Sequence, residues 1–453
     1  MGKLFGTDGI RGIANRGLTP ELALRAGRAG AYVLLRENHH APKVLVATDT
    51  RRSGKMLEAA LTAGLCSMGA EVYLAGNVPT PAVAFLIGKY NFDAGVMITA
   101  SHNPMDDNGI KFFNHVGQKL PDALEDEIEA IIAEMAVNDT LPRPEGIGVG
   151  IALPCPQAAR DYTDFLLTTV PNVKLTSHIK IALDCANGAT SHIAPQVFTS
   201  LGAYVYTLHN EPDGTNINDN CGSTHMESLA AYVKKTGAHI GLAFDGDGDR
   251  MLAIDDKGEL LDGDAIMAIC ALYLQNRGQL SKNTLVGTVM SNQGLDVFCR
   301  KHGLSLFRTD VGDRYVLEKM LADDLTMGGE QSGHVIFRQF ADTGDGILTG
   351  LQLFVAMVEA KQPLSEMRKM LEVFPQVLIN ARVSATRKNE FSTHPDIMAA
   401  QKEIEKKLGN EGRILVRPSG TEPLVRVMIE GRDQVQITAW AQELADIIKK
   451  ELV

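Results

Sequence analysis

Short apolar runs alternate with amphipathic stretches through most of the chain, and this rhythm sets the expected fold. Strands are predicted at Lys43–Ala47, Glu71–Leu74 and Ala94–Ile98, with helices at Gly54–Gly69 and Thr80–Lys89 between them. A further helix over Asp122–Met135 gathers Leu124, Ile128, Ile131, Ile132 and Met135 on one face. Its acids read as a solvated face, with Asp122 and Glu125 as a capping box. The Pro/Gly-rich stretch Leu141–Pro156 reads as a linker. The rhythm then restarts with helix Gln157–Thr168, strand Lys180–Leu183, helices His192–Leu201 and Met226–Lys235, and strand Ile240–Phe244. A third unit opens at Asp262, with strands Thr284–Val289 and Leu304–Phe307 around helix Leu295–Lys301, then helices Gly350–Glu359 and Leu364–Leu371. Strand–helix alternation of this kind predicts an α/β class. The tail is different: strand Val377–Val383, helix Ile397–Leu408, strands Ile414–Val416 and Leu424–Ile429, and helix Gln434–Lys450. The expectation is three similar α/β domains with mixed or parallel sheets (1–153, 154–256 and 257–373), plus a C-terminal α+β domain (374–453), around a central cleft.

Composition narrows the function. With 45% hydrophobic and 22% charged residues among 453, the chain can build ordinary packed cores. Its 44 Lys+Arg against 55 Asp+Glu leave a formal net charge of −11, which argues against nucleic acid or an anionic membrane as partner. A small anionic ligand held by local arginines remains compatible. The longest apolar run, Ala265–Leu274, falls far short of the roughly 20 residues that span a bilayer. The six cysteines (66, 155, 185, 221, 270, 299) are nowhere closer than 29 residues, so neither a zinc knuckle nor a CxxC pair is indicated. A cytoplasmic location is therefore expected. His39-His40 reads as a solvated loop.

Three polar loops follow apolar strands, and ligands of open α/β sheets gather at carboxyl ends of strands. In Asp245-Gly246-Asp247-Gly248-Asp249-Arg250, three carboxylates separated by glycines suit a hard divalent cation. A plain Gly-Asp turn is the alternative. An EF-hand is disfavoured by Arg250 at the sixth position, where that loop needs Gly. Thr99-Ala100-Ser101-His102-Asn103-Pro104 exposes Ser101 on a rigid turn, as a nucleophile or phosphate carrier requires, though a turn serine fits the same pattern. Lys111 follows closely enough to reach the same cleft. Glu330-Gln331-Ser332-Gly333-His334 can read sugar hydroxyls and move a proton, or be a polar hairpin. Arg417-Pro418-Ser419-Gly420-Thr421-Glu422-Pro423, with Arg426 nearby, has the parts of a phosphate cradle, with a plain Pro-Gly turn as the alternative. Phe5-Gly6-Thr7-Asp8-Gly9-Ile10-Arg11-Gly12 reads as a hairpin whose Arg11 adds positive charge to a cleft. Asp342-Thr343-Gly344-Asp345-Gly346 reads as a turn before a helix, without chemistry.

In this order, the four loops make the chain resemble the α-D-phosphohexomutase superfamily along essentially its whole length. Within it, the hairpin, Asn216-Ile217-Asn218, Cys221-Gly222-Ser223-Thr224-His225 and Gln331 are similar to the bacterial phosphoglucosamine mutase branch. The resemblance implies interconversion of glucosamine 6-phosphate and glucosamine 1-phosphate, supplying UDP-N-acetylglucosamine and the cell wall. It implies that Ser101 acts as a phosphoserine and binds Mg²⁺ together with Asp245, Asp247 and Asp249. Lys111 and His334 would be acid/base groups, and Arg11 and Arg250 would support the reacting phosphate. Glu330 and Ser332 would read the sugar, while Arg417, Ser419, Gly420, Thr421 and Arg426 would hold the other phosphate. Glucosamine 1,6-bisphosphate, or another hexose bisphosphate, would be intermediate and activator. First phosphorylation would come from a kinase or from autophosphorylation, and the chain would be a homodimer. Two other readings stand: a phosphomannomutase/phosphoglucomutase, and a haloacid-dehalogenase-type phosphatase whose nucleophile is Asp245. A sugar-phosphate sensor without activity is a third.

Overall fold

The computed structural model describes residues 4–6, 8–35, 42–170, 179–419 and 422–453. His39, His40, Gly420 and Thr421 lie outside the described residues. The described residues form four sheets. In the first, the strands run in the spatial order Phe5–Gly6, Gly9–Ile13, Asp107–Phe113, Ala94–Ile98, Lys43–Thr48, Glu71–Asn77 and Ala152–Pro154. The second is ordered Leu260–Leu261, Met251–Asp255, Ile240–Phe244, Lys180–Asp184, Tyr204–Leu208, and the third Ser305–Thr309, Thr284–Thr288, Met327–Gly329, Val335–Phe337. The fourth is antiparallel: Gln376–Arg382, Leu424–Gly431, Gly412–Pro418.

One arrangement recurs in the first three sheets and places the site. Ala94–Ile98, Ile240–Phe244 and Met327–Gly329 each lie between a parallel and an antiparallel neighbour. All three strands are buried throughout, which explains their unbroken apolar runs. The chain reverses directly after each of them, so every candidate loop is the turn into the antiparallel neighbour. These three sheets are thus mixed, one of the two arrangements expected. The Asp and Glu-Gln loops are both hairpin turns, as one of the two readings of each expects.

One large apolar core, from Leu45 to Leu371, runs through the first three units beside smaller clusters within each of them, whereas the C-terminal module has its own around Val427 and Leu444. The module is tied to the third unit by Gln293 N–H donating to Glu430 Oε2 (2.8 Å) and Arg413 Nη1 donating to Val289 O (2.7 Å). Among the described residues, no helix is long and apolar enough to cross a membrane.

Three local expectations are corrected. The residue before helix Asp122–Met135 is Pro121, and no side chain caps that end. Asp122 and the buried Glu125 instead bond Arg314 of the third unit, so tertiary pairing takes the place of the capping box. Part of the Leu141–Pro156 linker is ordered as the edge strand Ala152–Pro154, parallel to Glu71–Asn77 and running across the expected boundary at 153. Helix Pro20–Leu35 was not anticipated, because Gly27 and Gly30 weaken its pattern. Gly27 is there for close approach: a Cβ would lie 2.5 Å from Leu61 O, and one on Gly64 would lie 2.2 Å from Leu24 O. The two helices cross backbone against backbone.

Candidate active site

Ser101 closes the strand Ala94–Ile98 in a left-handed backbone conformation (φ 52°), costing about 1–3 kcal/mol for a residue with a Cβ. The surroundings hold it there. Its N–H donates to Thr99 Oγ1 (2.9 Å), and Thr99 Oγ1 donates to Asp49 Oδ2 (2.7 Å). Arg51, buried and paired through Nε with Asp49 Oδ2 (2.9 Å), donates to the carbonyls of Ser101 (2.9 Å), Asn103 (2.8 Å), Asp107 (3.0 Å) and Pro104. Asn218 Nδ2 reaches the Ser101 and Asn103 carbonyls from the second unit, at 2.8 and 2.9 Å.

The Ser101 hydroxyl donates to Asp245 Oδ2 at 2.6 Å. This contact needs the Asp loop to approach closely: a Cβ on Gly246 would lie 2.5 Å from Ser101 O. Asp245, Asp247 and Asp249 are buried, with ligand oxygens within 4.8 Å of one another. Asp247 Oδ1 and Asp249 Oδ1 are buried and without a hydrogen-bond partner. Three converging carboxylates with spare inward oxygens fit a hard divalent cation. The carboxylates differ in electrostatic setting. Burial, and then the charges of Asp247 and Asp249, push Asp245 well above the usual carboxylate range. Burial acts the same way on Asp249, but His334, Lys111 and Arg250 outweigh it and hold this carboxyl well below.

The basic groups are few and local. Lys111 Nζ donates to Asp247 Oδ2 (2.9 Å) and pairs with Asp8 (2.8 Å); burial opposes its charge, yet Asp247 and Asp8 keep it firmly protonated. Arg250 is likewise held charged, against burial, by Asp249 and Asp245, and its Nη1 sits 3.2 Å from His102 Nδ1. The His102 ring comes within 3.4 Å of Ser101 Oγ, but Arg250 occupies the same nitrogen, so a Ser–His hydrolase pair is not formed. His334 is buried, accepts from Gly344 N–H at Nε2 (3.1 Å), and faces Asp249 (3.6 Å) and Asp313 (3.5 Å). Burial would lower its pKa, but those carboxylates raise it. Glu330 accepts from Gly312 N–H (3.1 Å) and from Ser332 Oγ (3.4 Å). Arg11 pairs with Asp8 at 2.5 Å.

Sequence reasoning missed the partners that knit these groups together. Asp8 bridges Lys111 (2.8 Å) and Lys119 (2.6 Å), and Lys119 in turn reaches Asp313 (2.6 Å). This ionic chain joins the first and third units beside a cavity of about 240 Å³ lined by Lys119, Asp313 and His334. Asp8 alone had a signal, three residues from Arg11. The C-terminal candidates form a cluster of their own. Arg417 faces Arg426 across the strands Gly412–Pro418 and Leu424–Gly431, and Ser419 is buried with its Oγ accepting from Glu422 N–H (3.3 Å). Arg426 Nε is buried without a partner. Gly420 and Thr421, expected here, lie outside the described residues.

The phosphoglucomutase/phosphomannomutase family profile matches this chain in all four of its parts: alpha/beta/alpha domains I, II and III over residues 2–138, 160–258 and 262–374, and the C-terminal domain over 378–447. A phosphoglucosamine mutase of Ruminiclostridium cellulolyticum is 53% identical over 452 residues, covering all of both chains. The chain belongs to the phosphoglucomutase/phosphomannomutase family, in its phosphoglucosamine mutase branch. The fold agrees. A phosphoglucomutase/phosphomannomutase family protein from Burkholderia thailandensis superposes with a TM-score of 0.84 at 24% identity, covering 100% of this chain and 98% of that one. The N-acetylphosphoglucosamine mutase of Aspergillus fumigatus, solved with GlcNAc-6P and magnesium, gives 0.63 at 16% identity, covering 96% and 100%. These two carry the fold alone. Membership of the family makes the chain an enzyme of the isomerase class.

Proposed function

We propose that the chain interconverts glucosamine 6-phosphate and glucosamine 1-phosphate, through a phosphoserine at Ser101 and a glucosamine 1,6-bisphosphate intermediate. The full-length likeness to phosphoglucosamine mutases supports the substrate, and one observation carries the mechanism: the Ser101 hydroxyl turned onto Asp245 inside a buried carboxylate triad. Asp245, Asp247, Asp249 and the Ser101 oxygen would hold Mg²⁺, which when bound offsets charge on the transferring phosphoryl group. Every other task falls to side chains. Glu330 and Ser332 orient the sugar by its hydroxyls. Arg417, Ser419 and Arg426, with Gly420 and Thr421, grip the phosphate that is not reacting. Arg250 and Arg11 face the reacting phosphate. The sugar oxygen accepts the phosphoryl group from Ser101 Oγ, and its proton passes to the acid/base pair. Lys111 and His334 form that pair: Lys111 is held protonated by Asp247 and Asp8, and Asp249 and Asp313 favour the charged form of His334 as well. The bisphosphate then turns so that its other phosphate meets Ser101.

A separate core under the phosphate grip suits regripping by motion of domain 374–453 against domains 1–153, 154–256 and 257–373, which share a core. A cytoplasmic homodimer, first phosphorylated by a kinase or by itself, completes the reading. Rates on glucosamine, glucose and mannose phosphates with Mg²⁺ and a hexose bisphosphate test it. The proposal expects glucosamine phosphate to be preferred; preference for mannose or glucose phosphate would make the chain a phosphomannomutase/phosphoglucomutase, and phosphate release without isomerisation would point to a phosphatase.

A further inference from the structure

A second group of metal-type donors lies in the middle unit, none of them part of the Asp loop. Asp184 ends the strand Lys180–Asp184, His209 follows the neighbouring strand Tyr204–Leu208, and Cys221 precedes the helical turn Gly222–Thr224. The sequence separates them by 25 and 12 residues, too irregularly to read as a motif. The sheet brings them together: one donor atom from each lies within 4.8 Å of the others. We propose that Asp184, His209 and Cys221 form a metal site for a thiophilic divalent cation, of which Zn²⁺ is the natural occupant.

The donor set carries the choice of metal. A thiolate, an imidazole and a carboxylate are zinc ligands, whereas Mg²⁺ takes oxygen and leaves thiols alone. Spacing is compatible. Tetrahedral Zn²⁺ with bonds of roughly 2.0–2.3 Å holds its ligands about 3.3–3.6 Å apart. His209 Nδ1 and Asp184 Oδ2 are 2.9 Å apart as they stand, so they need open by only a few tenths of an ångström, while the thiol, within 4.8 Å of both, closes by at most about 1.5 Å. Asp184 and Cys221 are fully buried and the His209 side chain is 29% exposed, which gives an entry path and a place for water as fourth ligand. Without a cation the Cys221 thiol is pushed up to about 12, by burial first and then by Asp184 and Asp219. Binding therefore expels the thiol proton, plus any proton on the imidazole, and tightens as pH rises.

The site sits behind the active-site loops. Asn218 N–H donates to Ala186 O (2.9 Å) while its side chain holds the Ser101 carbonyl, and Ala189 N–H donates to Gly246 O (2.9 Å) in the Asp loop. The inference is independent of which phosphosugar the enzyme prefers.

The test loads the purified full-length chain with Co²⁺ and reads the near-ultraviolet charge-transfer band of a cobalt–thiolate bond. The expected result is a band saturating at one equivalent, erased by added Zn²⁺, and retained in Asp245→Asn and in Cys66→Ser, which alters the half-buried cysteine. It should vanish in Cys221→Ser, and His209→Ala, at a partly exposed position, should weaken Co²⁺ binding by at least about tenfold to 100-fold. No thiolate band in the wild-type chain, or a band that survives Cys221→Ser, would overturn the proposal.

Discussion

Arg51 is where the fold and the chemistry depend most on one side chain. Replacing it with Met removes the counter-ion of Asp49 and four donations to the turn around Ser101. Removing one partner of a buried ion pair costs about 3–5 kcal/mol. Two features limit the loss to that range. Asn218 still holds the Ser101 and Asn103 carbonyls, and burial already pushes the Asp49 pKa up, so the orphaned carboxyl can take a proton. Activity should suffer separately. Ser101 stays in its left-handed conformation only while the turn is braced, and a shift of about 1 Å at a reacting group costs on the order of 100-fold in rate. Arg51→Lys separates the two effects: it restores a charge beside Asp49 without the fork that spans four carbonyls. The assay pairs the first urea transition with kcat at saturating Mg²⁺. Stability should fall in Arg51→Met and recover in part in Arg51→Lys, while kcat stays low in both. An Arg51→Met protein within about 1 kcal/mol of wild type, or an Arg51→Lys protein with normal kcat, would refute the reasoning.

Three further outcomes follow from the geometry. Asp247→Asn should weaken activation by Mg²⁺ by on the order of tenfold or more in a metal titration, and chelation should abolish isomerisation while the far-ultraviolet dichroism is unchanged. Arg417→Ala should lower kcat/KM by about 10–100-fold, the worth of a charge-assisted contact to phosphate, with no change in the phosphate content of Ser101 by mass spectrometry. Asp345, which accepts from Leu348 N–H and Tyr162 OH, is raised to about 6, chiefly by burial. Its folded form therefore keeps a proton that the unfolded chain, with a pKa near 3.9, gives up, so this contribution is present at low pH and is lost as pH rises through about 4–6. Denaturation of wild type against Asp345→Asn should show the wild type losing up to about 3 kcal/mol relative to the variant across that window.

Sequence pattern revealed the parts of this molecule that are local. The buried strands Ala94–Ile98 and Ile240–Phe244 announce themselves by unbroken apolar runs, and the loops after them by Gly, Asn and Asp at fixed spacing. Helix Pro20–Leu35 was hidden because its glycines serve a helix crossing that only the fold reveals. Arg51, Lys119 and Asp313 were hidden for the same reason. Each is an ordinary charged residue whose partner lies far along the chain, 50 residues away for Ser101 and Arg51 and 194 for Lys119 and Asp313. Ser101 was legible as a turn serine, and the family resemblance joined it to Asp245; its expected exposure is corrected, because the hydroxyl is buried against Asp245.

Label transfer tests the central claim most directly. The chain carrying radiolabelled phosphate on Ser101 is mixed with unlabelled glucosamine 6-phosphate and Mg²⁺, and the products are separated with time. The account predicts that label leaves the protein for glucosamine 1,6-bisphosphate and then appears in the sugar monophosphates, with none transferred when the labelled residue is absent in Ser101→Ala. Label that stays on the protein, or leaves only as inorganic phosphate, would contradict it.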